Sequence, residues 1–355
     1  MKLRTTLCDS LIERDEEVDM LLLGLLSGQH VLFVGEPGTA KSLMVDNLLK
    51  AIDGAVGFSC LMHKFLPPEE TVGPLKLSEL QNDKYERATE GYLPEANIAF
   101  LDEIWKASPA ILNTLLKLLN ERRFKNGNVD HDVPLRFCVA ASNEWPIGEG
   151  FQTTGALFDR FLLRKTVRPV SAARRHDLAF SDLPEVTSVC QLADIDKLAE
   201  AATKATWSLE AQQCYLKVAD ELHREGIRPG DRRLRGGVRV AQAAAVLSGN
   251  TIVAPAHLEP LKYVFWTNPE QQELTHKIVG RITNPGGTEI MEILAQCQEV
   301  IDDIEDVHTP EAFGAMKKLM ASKEKLTAMN TDRSREAVKV LTNSLKELQA
   351  RMVGI

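Results

Sequence analysis

Through the first 170 positions, apolar residues fall in short runs rather than long stripes. Val31-Leu32-Phe33-Val34 and Asn97 to Leu101 are such runs; Ala55 to Cys60, the largely apolar Leu135 to Ala141, and Leu162 to Val167, which carries Arg164-Lys165-Thr166, are further strand candidates. Runs of this length, alternating with stretches of helical periodicity, predict strands buried on both faces of a parallel sheet. The intervening stretches have helical signals. Ser10 with Glu13 forms a candidate capping box, which predicts one helix from there to Ser27, closed by Gly28. Leu43 to Ile52 is amphipathic. Ser108-Pro109 places a capping hydroxyl before proline at the first helical position, and Ile111, Leu112, Leu115, Leu116, Leu118 and Leu119 follow on one face. Strands alternating with helices predict an α/β domain over residues 1–170.

After Arg168-Pro169-Val170 the strand pattern stops. Residues 171–284 read as a helical domain with Trp207, Leu209 and Tyr215 as core candidates. The breaker cluster Asn284-Pro285-Gly286-Gly287 sets off a helical C-terminal extension, 285–355. In its last helix Val338, Leu341, Leu345, Leu348 and Met352 follow a 3-4-3-4 spacing, one apolar face of a helical hairpin.

Composition narrows the class. A chain of 355 residues with 44% hydrophobic and 26% charged residues has the makeup of a globular protein with sizeable cores. A net charge of -8 argues against a dedicated nucleic-acid binder, although Arg174, Arg175, Arg235 and Arg239 could form a local basic patch. The six cysteines have no zinc-type spacing and suggest neither a metal site nor a disulfide framework. No secretory pattern opens the chain, and the run Met20 to Leu26 is too short to span a bilayer, so a cytoplasmic protein without a membrane span is expected.

The chemistry sits where the apolar runs end. Gly35-Glu36-Pro37-Gly38-Thr39-Ala40-Lys41-Ser42, followed by Leu43, joins a strand to a helix in the layout of a phosphate-binding P-loop. Its backbone N–H groups and the helix N-terminus form an anion cradle. Lys41 would reach the β- and γ-phosphates, and the Ser42 hydroxyl would ligate Mg²⁺. Alanine stands at position 40, where the usual pattern has glycine, and fits if that residue takes helical φ and ψ. Asp102-Glu103 ends a second apolar run, so Asp102 would hold Mg²⁺, largely through water, and Glu103 would deprotonate an attacking water. Asn143 ends a third run, at the sheet edge where ligands bind. Arg160, in Leu157-Phe158-Asp159-Arg160-Phe161, precedes a strand. Arg232 and Arg233 open a helix of the second domain, and arginine suits bidentate phosphate contact.

In this order the five signals resemble the P-loop, Walker B, sensor 1, arginine finger and sensor 2 of AAA+ ATPases. A narrower resemblance, to the MoxR branch and its regulatory ATPase variant (RavA) type, rests on several stretches. They are Pro67 to Leu75, Tyr85-Glu86-Arg87, Gly91 to Ala96, Phe100 to Lys106, Ile111 to Leu116, Ala140 to Glu144 and Asp231-Arg232-Arg233. The resemblance covers roughly residues 1–290 and implies ATP and Mg²⁺ as ligands. It implies Glu103 as catalytic base, Asn143 as sensor 1 and Arg160 as a finger acting on the neighbouring subunit, with Arg164 as the back-up choice. Sensor 2 falls to Arg232, with Arg233 left open. It also implies a helix-2 insert at about 74–94, with Gln81-Asn82-Asp83 as a hairpin turn, and a pre-sensor-1 hairpin at about 124–134. Members of the family usually form hexameric rings, act on a protein client, and often work with a separate von Willebrand factor A-domain partner. A nucleotide-gated scaffold, in which binding rather than turnover matters, is the alternative; a P-loop kinase is disfavoured by Glu103, Asn143 and the helical second domain.

Overall fold

The computed structural model describes residues 2–146, 149–302, 310–329 and 332–353. Five strands, β1 (His30–Val34), β2 (Gly57–Leu61), β3 (Ile98–Asp102), β4 (Phe137–Ser142) and β5 (Phe161–Thr166), form one sheet in the order β2-β3-β4-β1-β5. Every pairing in it is parallel. The predicted runs coincide with these strands to within two residues. The central strands β1 and β4 are buried along their whole length, as continuous apolar runs require.

Helices cover both faces. The predicted helix from Ser10 to Ser27 is instead two, α1 (Lys2–Asp9) and α2 (Asp15–Ser27). The expected capping box does not form. The Ser10 hydroxyl donates to the Leu7 carbonyl, and Asn47 of α3 (Lys41–Ala51) donates to that same hydroxyl, so a tertiary contact takes the group the local motif needed. Gly28 closes α2 in the left-handed region, as expected. Ser108 caps α4 (Pro109–Glu121), its hydroxyl accepting from the Ile111 N–H.

The helical second domain contains α5 (Leu192–Lys204), α6 (Leu209–Arg224), α7 (Asp231–Leu247) and α8 (Gln272–Thr283). Of its expected core residues, Tyr215 is buried and Trp207 half-buried, but Leu209 is 70% exposed, because it opens α6 on the solvent side. The domain docks tightly on the α/β unit. Helix α7 lies against α2, and a Cβ at Gly236 would meet the Leu162 side chain of β5 at 2.5 Å. Trp266 is fully buried in the α/β core beside Leu157 and Phe161. The tail forms α9 (Pro285–Asp302), α10 (Pro310–Met329) and α11 (Asp332–Val353), which share a core of Ile290, Ile293, Leu319, Leu326, Leu341 and Leu345. The side chains of Leu348 and Met352 lie outside the described residues.

Two excursions leave the sheet. Arg123–Asn126 and Val129–Asp132 pair antiparallel about Gly127, which takes positive φ. In the earlier excursion, Gln81-Asn82-Asp83 is not a hairpin turn: Leu77–Leu80 is a short helix, and the antiparallel bridge is Leu75 with Arg87. The two excursions are joined, since the Asn126 side chain accepts from the Arg87 N–H at 2.7 Å and donates to the Arg87 carbonyl at 3.0 Å.

His30 illustrates how the core handles a polar group. It is fully enclosed, accepts from the Cys138 N–H at Nδ1 and lies 3.1 Å from the Leu119 carbonyl at Nε2, so both ring nitrogens are used by the neutral form. Burial, with Arg122 nearby, pushes its pKa down to about 3. Between that value and an unfolded value near 6.5 only the unfolded chain takes up this proton. Stability therefore falls as pH drops through that window, by up to about 1.4 kcal/mol per unit. Urea unfolding between pH 4 and 7 is expected to show a shallower pH slope in His30→Gln than in the wild type; equal slopes would contradict the assignment.

Candidate nucleotide site

The strand ends at the C-terminal edge of the sheet converge on one cradle. Residues 35–42 join β1 to α3. Gly35 is needed there for space, because a Cβ would lie 2.1 Å from the Val167 carbonyl oxygen. Its N–H donates to Ser142, tying the loop to β4. Gly38 has φ +79°, and a Cβ there would meet nothing within 4 Å, so the tip faces open space. Ala40 does not take helical angles. Its φ of 65° and ψ of 22° lie in the left-handed region, where glycine would be unstrained, and it precedes the first helical residue rather than joining the first turn.

Lys41 folds back into the loop. Its Nζ donates to the Gly35 and Glu36 carbonyls at 2.7 and 2.8 Å and lies 3.4 Å from Asn143 Oδ1. Burial lowers its pKa, while Asp102 and Glu103 act in the opposite sense and favour the ammonium. Asp102 ends β3, and its carboxylate accepts from the Glu103 N–H. Glu103 takes a left-handed φ of 51°, which turns the chain sharply after the strand. Its Oε1 accepts from Asn143 Nδ2 and lies 3.3 Å from Lys106 Nζ. Its Oε2 is buried without a hydrogen-bond partner. Thus Lys41, Asp102, Glu103 and Asn143 come together, with Ser42 and Leu43 exposed at the start of α3. A buried carboxylate oxygen with no donor, beside an open anion cradle, fits a bound nucleotide with its metal ion and water.

Arg14 belongs to the same site and carries no motif that could have revealed it. It is buried, and its guanidinium donates to the carbonyls of Thr39 in the loop and Arg168 after β5. A cavity of about 760 Å³ opens beside it, lined by Glu13, Lys165, Thr166, Pro169 and His276 among others. Lys106 was legible, as a basic residue three positions after Glu103.

The arginines are elsewhere. Phe161 pairs with His30 at the start of β1, whereas Thr166 pairs with Val34 at its end. Arg160 therefore sits at the sheet edge opposite the loop, a strand length of about 17 Å away. Arg232 joins it there, its Nη1 3.2 Å from Asp159, rather than lying over the chain's own P-loop. Arg164 and Arg233 are both 1% exposed. Arg164 donates to the carbonyls of Phe158, Phe161 and Trp266 and lies 3.6 Å over the Phe158 ring. Arg233 donates to the carbonyls of Leu162 and Val264. Arg164 uses Nε, Nη1 and Nη2 and Arg233 uses Nη1 to hold backbone, while the side chains of Arg160 and Arg232 stay partly exposed.

Comparison with known proteins identifies the family. Residues 2–201 match the family described as the MoxR domain in the MoxR-vWA-beta-propeller ternary systems, and residues 213–279 match an AAA lid domain. The chain belongs to the MoxR family of AAA+ ATPases. Among its relatives are the uncharacterized protein MJ0812 of Methanocaldococcus jannaschii, 36% identical over 76% of this chain and 72% of that protein, and the chaperone MoxR1 of Mycobacterium tuberculosis, 28% identical over 54% and 51%. The crystal structure of a candidate ATPase from Cytophaga hutchinsonii aligns with a TM-score of 0.63 over 79% of this chain and 92% of that one, at 17% identity, which shows a shared fold. Among the described residues of this MoxR-family chain no helix is long and apolar enough to cross a membrane, and no cluster of His, Cys, Asp or Glu suits a metal ion by itself.

The strain at Ala40 is open to test. A left-handed alanine costs about 1–2 kcal/mol, offset by the roughly 0.5–1 kcal/mol that glycine's extra freedom costs. Ala40→Gly is expected to raise nucleotide-free stability by up to about 1 kcal/mol in urea titration. A clear loss of stability would rule out the left-handed assignment.

Proposed function

We propose that this chain is an ATP-hydrolysing ring motor that remodels, matures or activates a protein complex. The carrying observation is the separation of the two half-sites: Lys41, Asp102, Glu103 and Asn143 lie at one edge of the sheet, Arg160 and Arg232 at the other. A complete phosphoryl-transfer site needs both, and one chain cannot bring them together. Head-to-tail packing of identical chains does so, and such an interface closes into a ring; the proposed state is a hexamer.

In this reading the backbone from Gly35 to Ala40 cradles the phosphates, and Lys41 leaves the loop carbonyls for the β- and γ-phosphates. Ser42 and Asp102 would hold Mg²⁺, which would supply charge neutralisation for phosphoryl transfer. Glu103 takes the proton of the attacking water at Oε2, because Oε1 is already engaged by Asn143 and Lys106. Asn143 orients that carboxylate and reports on the γ-phosphate. The nucleoside lies toward the cavity beside Arg14. Arg160, joined by Arg232, stabilises the charge on the phosphate bound by the neighbouring subunit. The burial of Arg164 supports reading Arg160 as the finger.

The two linked excursions at 74–94 and 124–134 are proposed to touch the client. The partner is proposed to be a separate von Willebrand factor A-domain protein, which the description of the matching family supports. The RavA-like subtype rests on the motif stretches alone. The chain is proposed to act in the cytoplasm.

ATPase rate against protein concentration tests the ring. Specific activity is expected to rise with assembly, and Arg160→Ala to lower kcat by about 10³-fold or more with assembly intact. Activity independent of both concentration and Arg160 would refute the reading. Glu103→Gln separates motor from scaffold: a motor bound to ATP stops acting on its client, whereas a nucleotide-gated scaffold keeps working.

A further inference from the structure

The N-terminal edge of β5 holds an arrangement that the ring reading does not explain by itself. One carboxylate, Asp159, faces three guanidinium groups from two domains. Its Oδ2 lies 3.2 Å from Arg232 Nη1 and 4.0 Å from Arg160 Nη1, and its Oδ1 lies 3.4 Å from Arg233 Nη2. Arg160 Nε, together with Nε and Nη2 of Arg233, is buried without a hydrogen-bond partner. Arg233 is enclosed in the domain junction, and burial lowers its pKa to about 10 with Asp159 as the opposing influence. The cluster therefore has two positive charges in excess. It spans the joint between the α/β unit, which carries Asp159 and Arg160, and the second domain, which carries Arg232 and Arg233 at the start of α7.

We infer that Asp159 is a positioning residue that holds the finger Arg160 and the lid arginine Arg232 as one unit aimed at the phosphates bound by the next subunit. This rests on the ring reading above. Arg233, pinned by the Leu162 and Val264 carbonyls, is the fixed point, and Asp159 is located against it by charge. Arg160 and Arg232 then share the outer oxygen of a carboxylate whose single charge cannot neutralise both. A single anion held between two cations leaves each cation free to accept a second anion, and the phosphate of a neighbouring subunit is such an anion. The arrangement also ties the finger to the second domain, so a shift of α7 moves Arg232, Asp159 and Arg160 together. A hydrolysing subunit would thereby sense the domain position of its neighbour.

The test uses the full chain with Asp159→Asn, which keeps the side-chain shape. The expected result is a fall in kcat of about 10- to 100-fold, the scale of a misaimed catalytic group, with KM for ATP changed by less than about twofold and assembly unchanged. Asp159→Glu is expected to recover part of the loss. Because Asp159 also neutralises buried Arg233, unfolding midpoints are measured alongside. A lowered midpoint with normal kcat at a temperature where the variant is folded would overturn the inference and leave Asp159 a structural counter-ion. Co-expression with Lys41→Ala gives a second readout. Each variant alone is impaired, but the mixed ring contains interfaces in which an intact Asp159–Arg160 edge meets an intact P-loop, so activity is expected to return. The same mixture made with Arg160→Ala is the reference. Recovery in the reference but not with Asp159→Asn overturns the inference alone. Recovery in neither overturns the ring reading with it.

Discussion

Parallel strands share one direction, and much of this molecule follows from that. Five strands in register leave every C-terminal end on one edge and every N-terminal end on the other. The carbonyl-to-amide polarity of a strand followed by a turn and helix makes the first edge an anion site. Loop 35–42, Asp102 and Asn143 occupy that edge because each follows directly on a buried strand. The residues that precede β5 have no choice but the opposite edge. The distance between Lys41 and Arg160 is therefore a property of the sheet rather than of either side chain, and it is what the proposed ring would have to bridge between neighbouring chains.

The docking of the helical domain gives that opposite edge its form. Trp266 enters the α/β core, Gly236 allows α7 to approach Leu162, and two buried arginines bind backbone carbonyls across the joint, Arg164 that of Trp266 and Arg233 that of Leu162. A buried guanidinium is expensive unless its donors are used. Arg164 spends Nε, Nη1 and Nη2 on three carbonyls; Arg233 spends only Nη1 and needs Asp159. The same residue type thus divides into two roles. Arg164 and Arg233 are enclosed and structural, whereas Arg160 and Arg232 are left at the rim.

At the other edge, the two oxygens of Glu103 are treated differently. Asn143 and Lys106 hold one oxygen, leaving the other in a dry environment without a donor. Such a group is costly to leave bare. The chain also accepts left-handed backbone at Ala40 and Glu103, both within the site. Strain and an unsatisfied oxygen at the same location are consistent with a site completed by its ligands.

Much of this was legible in order along the chain. Largely apolar segments located all five strands, and the residues at or just after the ends of three of them pointed to Lys41, Asp102, Glu103 and Asn143 as site candidates. Local signals worked wherever one short segment contains both partners of an interaction, as at Ser108 with Ile111 or Gly127 in its turn. They failed where a distant segment competes. Ser10 gave its hydroxyl to Asn47 instead of a capping box, and Ala40 was pulled out of helical angles by loop geometry. Arg14, bonded to residues 25 and 154 positions away, has no local pattern at all. The difference in burial between Arg160 and Arg164, and between Arg232 and Arg233, likewise has no local pattern and needed the fold. Periodicity and spacing determined which elements form and which groups end them; the packing of the second domain on β5 decided which charges stay free, since desolvation depends on neighbours that sequence distance does not encode.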